Sequence, residues 1–276
     1  MNRMTTEEVQ RKKYELWSED QDVELEGVVI EKRIVAEGDS WFDYPPGLSI
    51  LDHLKDKYEY KIKNISHYGD TLENMVFGTE IRSNFTRIPP QFLETLAAIQ
   101  RHSPKVVLIS GGGNDIAGDQ IDSFLNHKDS GLPLLREDYT RYVIDTAFKK
   151  AFEFFMAKVW AINPGIHIIS HGYGHAIPDG RGVFDFLGLS FIGPWLRPAL
   201  ARKNIMNASE GGKVIKDLID IFNDMLKRLD DDNPNFHYLD LRPIITKLDW
   251  INELHLYNNA YEIVADLFHQ KINSLI

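Results

Sequence analysis

Four short segments carry side chains that could perform acyl-transfer chemistry. They are Gly38–Ser40, the turn around Gly69, Gly112–Asp115 and the loop that ends at His255. A serine hydroxyl becomes an effective nucleophile when a base takes its proton, and histidine can do this near neutral pH. Attack on an ester carbonyl also builds a negative oxygen, which needs preorganised hydrogen-bond donors. These segments are therefore where the sequence could do chemistry.

Each segment taken alone also has a structural interpretation. Ser40 and the preceding Asp39 could cap a helix, since both residue types are favoured at that position. The glycines at 111–113 could allow a close approach of the backbone to a ligand. They match neither a phosphate-binding loop nor a dinucleotide fingerprint. A single histidine such as His255, just before a helical pattern, is often structural.

The elements that must position these segments alternate between β-like and helical patterns. The β-like runs are Arg33–Glu37, Tyr60–Ser66, Lys105–Ser110, His167–Ser170 and Phe236–Leu239. The helical patterns are Ser49–Tyr58, Pro89–Arg101, Glu137–Ile162, Ser209–Leu229 and Asn258–Leu275. This alternation predicts βαβ units and a parallel sheet covered on both faces. Ligands of such sheets bind beyond the carboxyl ends of the strands, where three of the four segments lie.

Together, Ser40, Gly69, Asn114 and His255 resemble the four blocks of the SGNH (GDSL-type) hydrolases, a family of esterases, lipases, deacetylases and thioesterases. The resemblance runs from about Ile34 to the end of the chain. It implies an α/β fold, a three-layer α/β/α flavodoxin-like domain whose five-stranded parallel sheet has the order 2-1-3-4-5. It also implies Ser40 as nucleophile and His255 as base. The N–H groups of Ser40 and Gly69 and the amide of Asn114 would then form the oxyanion hole.

The last block departs from the family pattern at the residue that should orient the histidine. The family has Asp three residues before His, whereas this chain has Asn252. An amide oxygen can orient an imidazole but cannot stabilise imidazolium with a full charge. Glu253 and Asp249 are nearby alternatives, as is a backbone carbonyl. We therefore expect a serine esterase or lipase, with a carbohydrate or peptidoglycan O-deacetylase and a weak or idle binding module as alternatives.

A long insertion follows the fourth β-like run, at about residues 171–204. It carries many apolar residues for a loop, which favours either a wall of an acyl pocket or a satellite core or oligomer contact. Candidate substrate-binding residues are His171, Phe184, Phe186 and Trp195. His171 and His175 have the spacing of helical metal ligands, but the intervening glycines favour a loop. We predict no metal and no other cofactor.

The composition limits the other possibilities. The 276 residues carry a formal net charge of −10 and no cysteine, which excludes disulfides and a thiol nucleophile. An acidic chain is a poor candidate for nucleic-acid binding. No run approaches the length of a membrane span, and no signal peptide is evident, so we expect a cytoplasmic protein with a small-molecule or acyl-ester substrate; an oligomer is possible. We predict an N-terminal arm, residues 1–32, and a hydrolase domain, residues 33–276. The arm should hold a helix at Thr5–Trp17, capped by Thr5 with Glu8, and an extended piece should follow at Val23–Ile34.

Overall fold

The computed structural model describes residues 4–18, 32–184 and 191–276. Its strands are β1 (Arg33–Gly38), β2 (Lys61–Asn64), β3 (Val106–Ser110), β4 (His167–His171), β5 (Val183–Phe184), β6 (Phe191–Ile192) and β7 (Phe236–Leu239). The main sheet has five parallel strands in the order β2-β1-β3-β4-β7. Counted within that sheet alone, this is the predicted order 2-1-3-4-5. The strands β5 and β6 form a separate antiparallel pair inside the insertion.

Helices cover both faces of this sheet. They are α1 (Thr6–Ser18), α2 (Ile50–Tyr58), α3 (Leu72–Phe77), α4 (Phe92–His102), α5 (Glu137–Tyr142), α6 (Lys149–Ile162), α7 (Arg197–Arg202), α8 (Ala208–Asp232) and α9 (Asn258–Leu275). The helix α2 packs against α9, while α4, α6 and α8 pack in series. Right-handed crossovers place these two groups on opposite faces, because the chain moves one way from β1 to β2 and the other way afterwards. None of the helices described is both long and apolar enough to cross a membrane.

The register of the central strands determines which residues lie at the carboxyl edge of the sheet. The strand β3 is buried along its whole length, as expected when both faces of a parallel sheet are covered. Gly38 of β1 pairs with Ser110 of β3, and Ile109 pairs with Ser170 of β4. The carboxyl ends of β1, β3 and β4 are therefore level. The turns that follow them emerge side by side.

Local signals explain most helix boundaries. Ser49 caps α2, and its hydroxyl and the carboxylate of Asp52 form a reciprocal capping box. Asn207 caps α8 by accepting hydrogen bonds from the next turn. The single helix predicted over Glu137–Ile162 is α5 and α6 joined by a π-helical turn, Val143–Phe148. The helix α8 extends beyond the predicted end at Leu229, because Asp230–Asp232 form its last turn.

The N-terminal helix α1 is docked on the domain near the β1–α2 turn. Its first turn is capped as predicted, since the Glu8 N–H donates to the Thr5 hydroxyl and the Thr5 N–H donates to the Glu8 carboxylate. The Gln10 amide donates to the Pro45 carbonyl at 2.7 Å, and Val9 is buried. The extended piece predicted for residues 23–34 lies mostly outside the described residues. The division at residue 32 remains a prediction.

Candidate active site

The turn after β1 presents Ser40 at the carboxyl edge of the sheet. Asp39 holds this turn, since its N–H donates to the Ser110 carbonyl at 3.1 Å and its Oδ1 accepts from the Trp41 N–H at 3.0 Å. The side chains of Asp39 and Trp41 are buried, whereas Ser40 is half-buried. Hydrogen bonds to the sheet therefore hold the turn in place, while the Ser40 side chain stays partly accessible.

His255 reaches Ser40 from the loop that precedes α9. Its Nε2 lies 2.8 Å from Ser40 Oγ, and its Nδ1 lies 3.0 Å from Asn252 Oδ1. The backbone N–H groups of Leu254 and His255 also donate to Asn252 Oδ1, at 3.0 and 2.9 Å. Only an amide oxygen can accept these bonds, so the orientation of Asn252 is fixed and Nδ1 of His255 carries the hydrogen. The remaining nitrogen, Nε2, is then free to accept the proton of Ser40.

Two aromatic rings pack against the imidazole of His255. The Tyr44 ring stacks on it with centroids 4.4 Å apart, and Trp195 meets it edge-on at 5.5 Å. Only 6% of the His255 surface is exposed. This burial lowers the pKa of His255 to about 3, because the charged form loses its hydration. The imidazole is therefore neutral at pH 7, the form that can act as a base.

The two carboxylates considered as alternatives to Asn252 are engaged elsewhere. Asp249 accepts from the N–H and hydroxyl of Thr246, both at 2.7 Å. Glu253 is fully buried, and its two oxygens accept four backbone N–H groups of the insertion, from Gly180, Trp195, Leu196 and Arg197. Neither carboxylate forms a hydrogen bond with His255, whereas Asn252 does. Glu253 instead ties the insertion to the loop that carries His255.

The residues expected to supply the three oxyanion donors, Ser40, Gly69 and Asn114, line one common cavity. In the part of the chain that the structure describes, the N–H groups of Ser40 and Gly69 make no hydrogen bond. The Asn114 amide uses one N–H to donate to the Asp70 carbonyl at 2.7 Å and keeps a second. Gly69 has a φ of +81°, and a Cβ added there would meet no atom within 4 Å. The positive φ, rather than crowding, therefore explains the glycine.

Two cavities meet at Ser40 and Asn114. The wide cleft, about 730 Å³, also contains Gly69 and His255. The narrow pocket, about 40 Å³, extends under Trp41 toward α8. Wall residues that the sequence did not single out as site residues are Thr6, Gln10, Tyr44 and Tyr68 of the wide cleft and Ile116, Ile215 and Leu218 of the narrow pocket. Proximity in the chain to Ser40, Gly69 or Asn114 was a usable signal for Tyr44, Tyr68 and Ile116, but no signal marked the others.

The insertion contributes to this site in part. Trp195 and Val183 line the wide cleft, and Ala176 and Leu196 line the narrow pocket. The structure describes only the backbone of Phe184, in β5, and Phe186 lies outside the described residues. The substrate-binding role expected for these two phenylalanines therefore stays a prediction.

The expectation that His171 reaches the pocket is wrong. The side chain is fully buried at the end of β4 and stacks against Trp41 with centroids 4.9 Å apart. Its Nε2 lies 2.9 Å from Ser110 Oγ, and its Nδ1 lies 2.7 Å from the Gly172 carbonyl. His175 contacts Asp220 at 2.8 Å instead. The two histidines thus have separate partners and form no metal-binding pair.

A second serine–histidine pair therefore lies beneath the first. We call Asp39, Ser110, His171 and Tyr173 the buried cluster. The Ser110 hydroxyl donates to Asp39 Oδ1 at 2.6 Å, and the Tyr173 hydroxyl donates to Asp39 Oδ2 at 3.0 Å. The Tyr173 oxygen accepts from the Gly113 N–H at 3.1 Å, which links the cluster to the turn that carries Asn114. These bonds support the two turns that present Ser40 and Asn114.

Asp115 supports the same region from the other side. Its carboxylate accepts from the Leu72 N–H at 2.7 Å, at the start of α3, and more weakly from the Glu73 N–H at 3.4 Å. Burial raises the pKa of Asp115 to about 7. These contacts hold the turn that carries Asn114 against the start of α3.

Comparison with known proteins identifies the fold. No family model and no curated protein matches the chain. Solved structures with the same fold include the lipase Lip_vut3 from a goat rumen metagenome, 12% identical, TM-score 0.53, over 86% of this chain and 96% of that one. An aryl esterase of M. smegmatis is 10% identical, with a TM-score of 0.50, over 88% and 99%. The periplasmic domain of a lipopolysaccharide acetyltransferase of Salmonella ser. Paratyphi A is 14% identical, with a TM-score of 0.50, over 95% and 95%.

Proposed function

We propose that this protein is a serine ester hydrolase of the SGNH type that acts through an acyl-enzyme on Ser40. The observation that carries the proposal is the 2.8 Å contact between Ser40 Oγ and His255 Nε2, at the meeting point of two cavities. The esterase, lipase and acetyltransferase descriptions of proteins with the same fold agree with chemistry on acyl groups.

The proposed reaction has two halves. Ser40 Oγ attacks the carbonyl carbon while its proton passes to His255 Nε2, and the carbonyl oxygen becomes an oxyanion. The N–H groups of Ser40 and Gly69 and the Asn114 amide receive that oxygen. The intermediate then collapses, and the departing alcohol takes the proton from Nε2. Water repeats the sequence on the acyl-enzyme, which releases the carboxylic acid and restores the serine.

Asn252 makes this site weaker than one with a carboxylate. During attack the buried His255 becomes imidazolium, and the nearest orienting group offers only a dipole. The negative oxyanion formed at the same moment supplies the opposite charge. We therefore expect a slow esterase, whose turnover depends strongly on the oxyanion donors.

A catalytically idle binding module is the second candidate, because in the described residues no carboxylate contacts His255. Hydrolysis of 4-nitrophenyl acetate by the wild type, Ser40→Ala and His255→Ala separates the two candidates. The esterase proposal expects both variants to fall to the background rate. Ser123→Ala, which alters an exposed serine outside both cavities, is the matched control. Equal rates for the wild type and Ser40→Ala would refute the esterase and leave the binding module.

A further inference from the structure

The two cavities at Ser40 differ in size and in which catalytic groups they contain. The wide cleft holds about 730 Å³ and includes His255 and Gly69. The narrow pocket holds about 40 Å³ and includes neither of them. Only Ser40, Asn114 and Leu254 are common to the walls of both. An ester bound at Ser40 has two arms, the acyl chain and the alcohol, and each cavity can take one.

The proton carried by His255 decides which arm enters which cavity. When the tetrahedral intermediate collapses, Nε2 must give its proton to the departing alcohol oxygen. That oxygen, and the alcohol attached to it, must therefore lie on the side of Ser40 that His255 occupies. This side is the wide cleft. The acyl chain is left with the narrow pocket.

The narrow pocket has the apolar walls that an acyl chain requires, but it is large enough only for a short chain. They are largely apolar, with side chains from the Ser40 turn, the Asn114 turn, the insertion and α8: Trp41, Ile116, Ala176, Leu196, Ile215 and Leu218. A single water-sized group occupies roughly 10–15 Å³. At about 40 Å³, the pocket therefore has room for only a few methyl-sized groups. An acetyl, propanoyl or butanoyl group fits, and a longer chain meets side chains of the packed core.

The wide cleft suits a larger group of mixed character. Its volume lies in the usual range for small-molecule sites, about 300–1,000 Å³. Tyr68 and Trp195 supply aromatic surface, while Thr6 and Gln10 of α1 supply polar atoms. An alcohol of several carbons or a sugar-sized alcohol would be accommodated there.

We propose that the substrates are esters of a short acyl group, about two to four carbons, with a considerably larger alcohol. This inference rests on the proposed esterase function and adds which cavity binds the acyl group and which binds the alcohol. The acyl chain occupies the narrow pocket between the Ser40 turn and α8. The alcohol occupies the wide cleft beside His255 and α1.

Two isomeric esters test this assignment without a change in total size. Hexyl acetate places the long arm on the alcohol, and ethyl hexanoate places it on the acyl side. Forcing extra carbons into a filled core pocket typically costs enough for about a tenfold change or more. We expect kcat/KM, measured by acid release in a pH-stat, to favour hexyl acetate at least about tenfold. Any smaller preference, or the reverse order, would overturn the proposal.

A change in the pocket wall should alter this preference. Leu218→Ala enlarges the narrow pocket and should raise kcat/KM for ethyl hexanoate relative to hexyl acetate, about fourfold for each extra CH₂ accommodated. Leu226→Ala is the matched control, because Leu226 is equally buried on α8 but lines neither cavity. The same shift in both variants, or in neither, would contradict the assignment.

A second variant covers the case in which Leu218→Ala does not fold. Ala176 is half-buried, so Ala176→Leu can narrow the pocket without filling a closed core. It should lower kcat/KM for a butanoyl ester more than for the acetyl ester of the same alcohol, and an equal decrease would overturn the proposal. Failure of the esterase function itself would look different, since folded wild type would then hydrolyse none of these esters in a Ser40-dependent way.

Discussion

The molecule contains two serine–histidine pairs at the same edge of one sheet. Ser40 and His255 are 2.8 Å apart at the meeting point of two cavities. Ser110 and His171, in the buried cluster, are 2.9 Å apart and have no exposed surface. By residue type and distance alone the two pairs are nearly equivalent.

The two pairs differ in the group that accepts the hydrogen bond of the serine hydroxyl and in the space around the serine oxygen. The Ser110 hydroxyl donates its hydrogen bond to the Asp39 carboxylate at 2.6 Å, so it is committed to a structural bond. Ser40 has a neutral imidazole nitrogen as its acceptor and lies beside the amide of Asn114. A nucleophile therefore requires an acceptor of suitable pKa, donors for the product charge and a cavity for the substrate.

The largest expected difference between the pairs is in covalent labelling. A fluorophosphonate requires an activated, accessible serine and mimics the tetrahedral intermediate. We expect one adduct, on Ser40, and none on Ser110, detected by mass spectrometry of peptides. Ser40→Ala should abolish labelling, whereas Ser123→Ala should leave it intact. An adduct on Ser110 would contradict the claim that only Ser40 is both activated and accessible.

The oxyanion donors should account for the next largest effect. Asn114→Ala removes an amide that lines both cavities, and we expect kcat to fall about 10²–10³-fold with a smaller change in KM. Asn74→Ala is the matched control, because the Asn74 amide also bonds to Asp70 but lies outside both cavities. Equal losses in the two variants would show that Asn114 acts only by supporting the Asp70 turn.

A carboxylate at position 252 should change the pH dependence of the Ser40–His255 pair. Burial lowers the pKa of His255 to about 3, so the neutral base persists as the pH falls and kcat/KM should keep its plateau well below pH 6. In Asn252→Asp the new negative charge favours imidazolium and raises the pKa of His255. The acid limb of kcat/KM should therefore move to higher pH, by about one to three units.

The control for this shift is Glu253→Gln. The carboxylate of Glu253 bonds to backbone N–H groups and not to His255, so the acid limb should stay in place. If Glu253→Gln moves the limb while Asn252→Asp does not, then Glu253 would be the residue that governs His255.

The smallest effect on turnover is expected in the buried cluster. Ser110→Ala removes the hydroxyl that donates to Asp39 and lies beside His171 Nε2, which should lower the free energy of unfolding by about 1–3 kcal/mol. Because the serine does not touch substrate, kcat should change only a few-fold. Urea denaturation and ester hydrolysis on the same preparation measure both quantities. A stable variant with activity as low as that of Ser40→Ala would remove the distinction between the pairs.

Sequence patterns predicted the fold well because the central strands, which are buried on both faces, contain apolar runs, while the edge strands β2 and β7 alternate between buried and less buried positions. All five strands of the main sheet were expected, and the helix at Asn258–Leu275 has the predicted bounds. The helices α3 and α7 were missed because each has only six residues, too few for a clear periodicity.

The site was harder to predict than the sheet, and the errors have physical causes. His171 ends β4, and whether its side chain faces the sheet interior or the cavity depends on which face of the strand it occupies, which a short apolar run does not fix. Ile215 and Leu218 belong to the apolar face of α8, and a face that lines a pocket has the same periodicity as one packed in the core. Asn252 could be placed by spacing, but its fixed amide orientation depends on backbone N–H groups that only the folded loop brings together.

The separation of Ser40 and His255 along the chain also has a kinetic consequence. The two residues are 215 positions apart, one after the first strand and the other just before the last helix. Contacts of such high sequence separation form late, because a long stretch of chain must be ordered before they close. During refolding from denaturant, recovered esterase turnover should therefore lag behind circular dichroism. The recovery of enzymatic activity would then report the rate at which Ser40 and His255 come together, rather than the rate at which the sheet forms.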